Sequence, residues 1–136
     1  MRKYFVFAIL FVLHASCATR IPSTIPASLI KESGAYISYT THGVTIRPGQ
    51  TVTIGTPSDK QDNTFRSIHM MTFGLILTGN QLYGTASGTS LVIKRIKYHK
   101  AYQEVYLTVD YKELQYAISV ESAIKRGELV LQKPPQ

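Results

Sequence analysis

From Tyr36 onward the sequence is a succession of short runs rich in β-branched and aromatic residues, each closed by residues that favour turns. A chain written this way has to pair its runs as strands and bury one face of the resulting sheet. Tyr36–Thr41 is the first run. Val44–Ile46 leads into Arg47-Pro48-Gly49-Gln50, where proline then glycine fit the two central positions of a type II turn. Thr51–Ile54 alternates strictly. The segment 55–63 (GTPSDKQDN) is a polar loop in which Asp59 and Asp62 stabilise turns by bonding their own backbone. Further strands are expected at 64–70, 73–78, 91–98, 104–110 and 115–120, with a flexible loop of small residues at 84–89. About seven short strands specify a mainly β domain, either a small barrel or a sandwich.

One segment departs from this rhythm. Residues 119–127 (SVESAIKRG) carry helix formers, a Glu121–Lys125 pair at i,i+4, basic residues in the last turn and a glycine to stop it. The expectation is a helix of one or two turns with Ala123 and Ile124 on the core. Residues 128–131 then return as a closing strand. An α+β sandwich with one helix is the alternative to a plugged barrel.

The N-terminus reads as an address. Arg2 and Lys3 precede an unbroken apolar run, YFVFAILFVL, at 4–13. That run is too short for a hydrocarbon core of about 30 Å, which takes roughly 20 helical residues. It has the length of a secretory signal, and small residues follow it. Residues 1–16 are therefore expected to be a signal peptide. The only cysteine, Cys17, falls at the boundary, in Leu13-His14-Ala15-Ser16-Cys17. This resembles a bacterial lipobox, with His14 where an aliphatic residue is usual. Lipidation of Cys17 is the expectation, and ordinary cleavage after Cys17 or Ala18 is the alternative. Each buried CH₂ of such a lipid contributes about 0.8 kcal/mol of membrane affinity. Residues 17–34, with two prolines, read as the lipidated cysteine and a tether. Residues 35–131 form a single β-rich domain, and 132–136 a frayed tail.

Without residues 1–16 the chain keeps thirteen Lys and Arg against eight acids, a net charge of +5. That density is moderate. With export, nucleic acid is excluded as a partner, leaving an anionic lipid, an envelope glycan or an envelope protein.

Catalytic chemistry has no local signature. His42, His69 and His99 lie at no metal-ligand spacing, so neither metal nor cofactor is expected. Nothing in the spacing of the carboxylates makes a pair converge. Gly84-Thr-Ala-Ser-Gly88 is neither a nucleophile elbow nor a phosphate loop. The candidate site is instead a basic, aromatic strand and turn: Lys94, Arg95, Lys97, Tyr98, Lys100 and Tyr102. Simple alternation puts Lys94, Ile96 and Tyr98 on one face and Arg95, Lys97 and His99 on the other. Because one face has to be buried, a bulge or an edge position is implied. Such a strand suits an anionic partner. It is also the pattern of an edge strand guarded by lysines, and that plainer reading comes first. Tyr98, Tyr102, Tyr106, Tyr111 and Tyr116 crowd the same region, and Tyr106 should point away from the face of Val105, Leu107 and Val109.

The order T-V-T-I-G-T-P-S, T-F-R-S-I, L-V-I-K-R-I-K-Y and Y-A-I-S-V-E-S-A-I-K-R-G-E-L resembles the small envelope lipoproteins of Bacteroidetes-type bacteria. The resemblance runs over residues 44–130 and is strongest at Glu121-Ser-Ala-Ile-Lys-Arg-Gly-Glu128. It implies an exported β-rich domain and brings no catalytic residues. The function expected is a non-enzymatic, lipid-anchored binding or accessory domain of the outer membrane, facing the periplasm. A soluble periplasmic or secreted form is the alternative address. An envelope hydrolase acting on glycan or peptide, and a structural subunit of a membrane complex, are the alternative roles.

Overall fold

The computed structural model describes residues 30–33, 36–99 and 102–133. The expected signal peptide, Cys17, most of the tether and Lys100 lie outside them. The described residues form ten strands: β1 (Ile30–Ser33), β2 (Tyr36–Thr41), β3 (Val44–Ile46), β4 (Thr51–Ile54), β5 (Thr64–Thr72), β6 (Leu75–Tyr83), β7 (Ser90–His99), β8 (Glu104–Tyr111), β9 (Leu114–Ser119) and β10 (Leu129–Val130). A short helix, α1 (Val120–Lys125), precedes the last strand as expected. Seven strands make one antiparallel sheet in the order β10-β4-β7-β8-β9-β5-β6, and β1-β2-β3 make a second. The domain is mainly β. The seven-strand order is open, so no barrel closes among the described residues.

Three local readings change. Ile30–Ser33, at the end of the expected tether, pairs with β2 as a strand. Phe73 does not begin a strand; with Gly74 it makes the tight turn of the β5–β6 hairpin, at φ 50° and 77°. The small-residue loop contains a single 3₁₀ turn at Gly84–Ala86, with Ala86 fully buried.

The core lies between the inner face of the large sheet, α1 and the small sheet. Ile54, Ile68, Ile93, Leu107 and Ile118 supply it from five neighbouring strands, and Tyr39 and Ile46 from the small sheet. The helix adds Val120 and Ala123, both fully buried, and packs on β8 and β5. Burial of such side chains is worth roughly 1.5–3 kcal/mol each, which is what orders strands too short to stand alone.

Glu121 does not pair with Lys125. Its carboxylate turns to the small sheet, accepting hydrogen bonds from the hydroxyls of Tyr39 and Thr41, with His42 Nε2 at 3.4 Å. Burial alone would raise this carboxyl; the two hydroxyls and the imidazole outweigh it and hold Glu121 below the usual carboxylate range. Burial and the same carboxylate push the Tyr39 hydroxyl up, so it stays a donor. The pair of sheets is thus tied together through the helix.

The helix ends as its sequence requires. Gly127 takes φ 71°, and the amides of Gly127 and Glu128 return to the carbonyls of Ile124 and Ala123 at 3.0 and 2.8 Å. This is a Schellman closure. It delivers Glu128, fully buried, into the sheet. Glu128 Oε1 accepts from the amide of Arg66 at 2.7 Å, the amide of Ser58 at 3.3 Å and the Ser58 hydroxyl; Oε2 accepts from the amide of Ser67 at 2.8 Å. The backbone beside it is equally tight. The amide of Gly55 donates to the Glu128 carbonyl at 2.7 Å, and a Cβ on Gly55 would lie 2.0 Å from the Gly127 oxygen. Only glycine fits there.

Two outcomes are expected. Glu128→Gln keeps the volume but turns amide hydrogens toward backbone donors, so urea unfolding should show a loss of about 2–4 kcal/mol. Glu121 has a folded pKa below its unfolded value of about 4.3, so its contribution is complete above that pH and is lost as pH falls toward the folded value. The urea midpoint should therefore fall on acidification below about pH 4.3, and less steeply in Glu121→Gln.

Candidate functional site

Strand β7 carries the cations, and a bulge decides where they point. Ile93 pairs with Val109 while Arg95 pairs with Thr108, leaving Lys94 as an extra residue between them. The insertion restarts the alternation. Leu91, Ile93 and Ile96 are buried, and Lys94, Arg95 and Lys97 are all exposed. Lys94 therefore does not share the face of Ile96, as simple alternation implied, because an inserted residue shifts every later side chain by one position. The strand is also two things at once. Val92 pairs with Thr51 and Ile93 bonds the 47–50 turn, so the first half is interior. Beyond Ile93, among the described residues, only β8 is paired with it.

On the outward face Arg95 and Lys97 line a groove of about 350 Å³ with His99, Tyr102 and Tyr106. The His99 ring lies 4.9 Å from Tyr102 and 6.4 Å from Tyr106, tilted to the first and edge-on to the second. Tyr106 is the outward residue of β8, opposite Lys97 across the ladder. Its hydroxyl donates to Glu104 Oε2 at 2.6 Å, and burial, then this bond, push its pKa up. Glu104 Oε1 accepts from the hydroxyls of Ser119 and Ser122. The other outward carboxylate, Asp110, holds Lys94 at 3.4 Å. Both nearby acids are thus engaged elsewhere, and among the described residues Arg95 and Lys97 have no ion-pair partner.

The far wall of the groove is apolar. Met71 on β5 and Leu75 and Ile76 on β6 line it, with Thr108, Gln115 and Ala117 forming the floor. These residues meet the basic strand through the register: Thr108 pairs with Arg95 and with Ala117, and Gln115 with Met71. Nothing in the local sequence of β5 and β6 marks them. The one available signal was the outward alternation of Tyr106 and Thr108.

Of the six residues singled out from sequence, Arg95, Lys97 and Tyr102 meet at the groove. Lys94 is drawn to Asp110 and sits beside the 47–50 turn. Tyr98 faces inward and packs on the core. The bulge explains this too, since it brings Ile96 and Tyr98 onto the same face as Ile93. Lys100 lies outside the described residues. The histidines are dispersed: His42 reaches Glu121, His69 sits on β5 opposite Ala117, and His99 belongs to the groove. Among the described residues no three His, Cys, Asp or Glu side chains converge to hold a metal.

These placements separate two tyrosines that the sequence grouped. Tyr98→Ala should cost about 1–3 kcal/mol in urea unfolding, because it removes a ring packed on the core. Tyr102→Ala, at a residue 72% exposed, should leave stability within about 0.5 kcal/mol of wild type. No protein-family model, curated protein or solved structure matches this chain.

Proposed function

We propose that the chain is a non-enzymatic binding module of the cell envelope, exported, anchored through a lipid on Cys17, and presenting the β7–β8–β9 groove to an anionic partner. The signal-like N-terminus and the placement of Cys17 in the sequence support the address. The outer membrane, with the domain facing the periplasm, is the location this favours. The bulge at Lys94 supports the activity. It turns Arg95 and Lys97 onto one face, beside a ring cluster and near carboxylates that are already engaged by Lys94, Tyr106 and the serines. Two cations that have no ion-pair partner among the described residues, in a concave, aromatic-edged surface, attract an anion and orient it.

An edge strand guarded by lysines needs only that cations point outward. It does not need a groove, nor carboxylates engaged elsewhere. The two readings separate on heparin, a soluble glycan polyanion. Retention of the full chain should fall in Arg95→Ala/Lys97→Ala much further than in Lys125→Ala/Arg126→Ala, which removes the same charge from the exposed end of α1. The logarithm of the heparin dissociation constant should also depend less steeply on salt in the groove variant. Equal losses in the two variants would leave net charge as the whole effect and remove the site.

A further inference from the structure

The groove is sided. Its β7 edge is cationic, and its β5–β6 edge is Met71, Leu75 and Ile76. At the apex of that second edge stands Phe73, 99% exposed, with Leu75 beside it at 69%. The backbone makes this placement unusual. Phe73 and Gly74 both have positive φ, the geometry of a two-residue hairpin turn whose first position ordinarily takes asparagine, aspartate or glycine. A bulky side chain at such a position is disfavoured, and its ring gains nothing from the core. An apolar hairpin tip at one edge of a groove whose other edge carries cations without an ion-pair partner among the described residues is the pattern of a surface that enters a lipid interface while its basic residues meet the headgroups.

Resting on the binding reading above, we infer that the anionic partner of this site is the surface of a phospholipid bilayer. Phe73 and Leu75 enter the acyl boundary, and Arg95 and Lys97 hold headgroup phosphates along the groove. Charge complementarity selects this occupant: a neutral apolar partner would leave Arg95 and Lys97 desolvated without counter-ions. A soluble polyanion would leave the hairpin tip without a role.

The chain contains no tryptophan, so Phe73→Trp makes a single reporter at the tip. This matters because the apolar run at 4–13 and a lipid on Cys17 would hold the full chain on any vesicle, whatever the domain does. Tyr83→Trp, exposed at the opposite end of β6, serves as the reference. With vesicles of phosphatidylcholine and phosphatidylglycerol, the Phe73→Trp emission should move to the blue and be quenched by brominated acyl chains. The Tyr83→Trp emission should not. On pure phosphatidylcholine the shift should be small. Adding Arg95→Ala/Lys97→Ala should cut the shift on anionic vesicles, read at lipid that holds all of the chain, to roughly its value on phosphatidylcholine.

An unshifted Phe73→Trp on anionic vesicles overturns the inference, and so does an equal shift on neutral ones. If the tip is silent while heparin retention still depends on Arg95 and Lys97, the bilayer fails as partner and the anion-binding groove stands. If neither depends on those residues, both readings fail together.

Discussion

The carboxylate of Glu128 is the point at which the end of the helix, the 55–63 loop and β5 are joined. It is fully buried and gathers three backbone amides and a hydroxyl from residues 58, 66 and 67. A buried carboxylate is costly unless each of its oxygens is engaged, and here both are. The engagement needs the helix to stop at Gly127, the loop to bring Ser58 inward, and β5 to present two consecutive amides. Consecutive amides of a regular strand point to opposite sides, so one acceptor can reach both only where the ladder is irregular. The register of β5 with β6 is shifted between Thr64 and His69, across that spot. Loop, strand irregularity and helix cap are therefore one arrangement.

The same economy governs the outer face. A single inserted residue in β7 lets the strand keep its apolar residues inside while three cations leave it on the other side. In a regular strand that kept Ile93 inside, Arg95 would turn into the core and Ile96 out to solvent. Asp110 and Glu104 then settle which cations remain available, one by holding Lys94 and the other by turning to Tyr106 and the serines. The groove is a product of strand register, and its chemistry is a product of which acids are already occupied.

Much of the fold was legible because strand and turn chemistry are local. The alternation of Thr51–Ile54, the Pro48-Gly49 turn and the Gly127 stop all stand where the residues place them. The strand Ile30–Ser33 was hidden because Ile-Lys-Glu-Ser has no preference of its own and takes its form from β2. The Phe73-Gly74 turn was hidden because phenylalanine is not a turn residue. Glu128 looked like a polar residue opening a strand, since its partners lie more than sixty residues away. The site divides in the same way. Its basic edge is contiguous in sequence and could be read. Its apolar edge is brought there by the pairing of β5 with β9, and the loss of Tyr98 to the core follows from a bulge that composition implied without locating.

The Glu128 arrangement also sets an order of events. Until Glu128 has been synthesised, the amides of Arg66 and Ser67 lack their acceptor, and β4 lacks the neighbour that Leu129 and Val130 provide. Contacts of such long sequence separation form late and slowly. Until residues 128–130 are in place, the strands they close stay unlocked. On the export proposed above, the same dependence would keep β4 and β5 unlocked during transit, because their closing partners at residues 128–130 join them only when the fold completes.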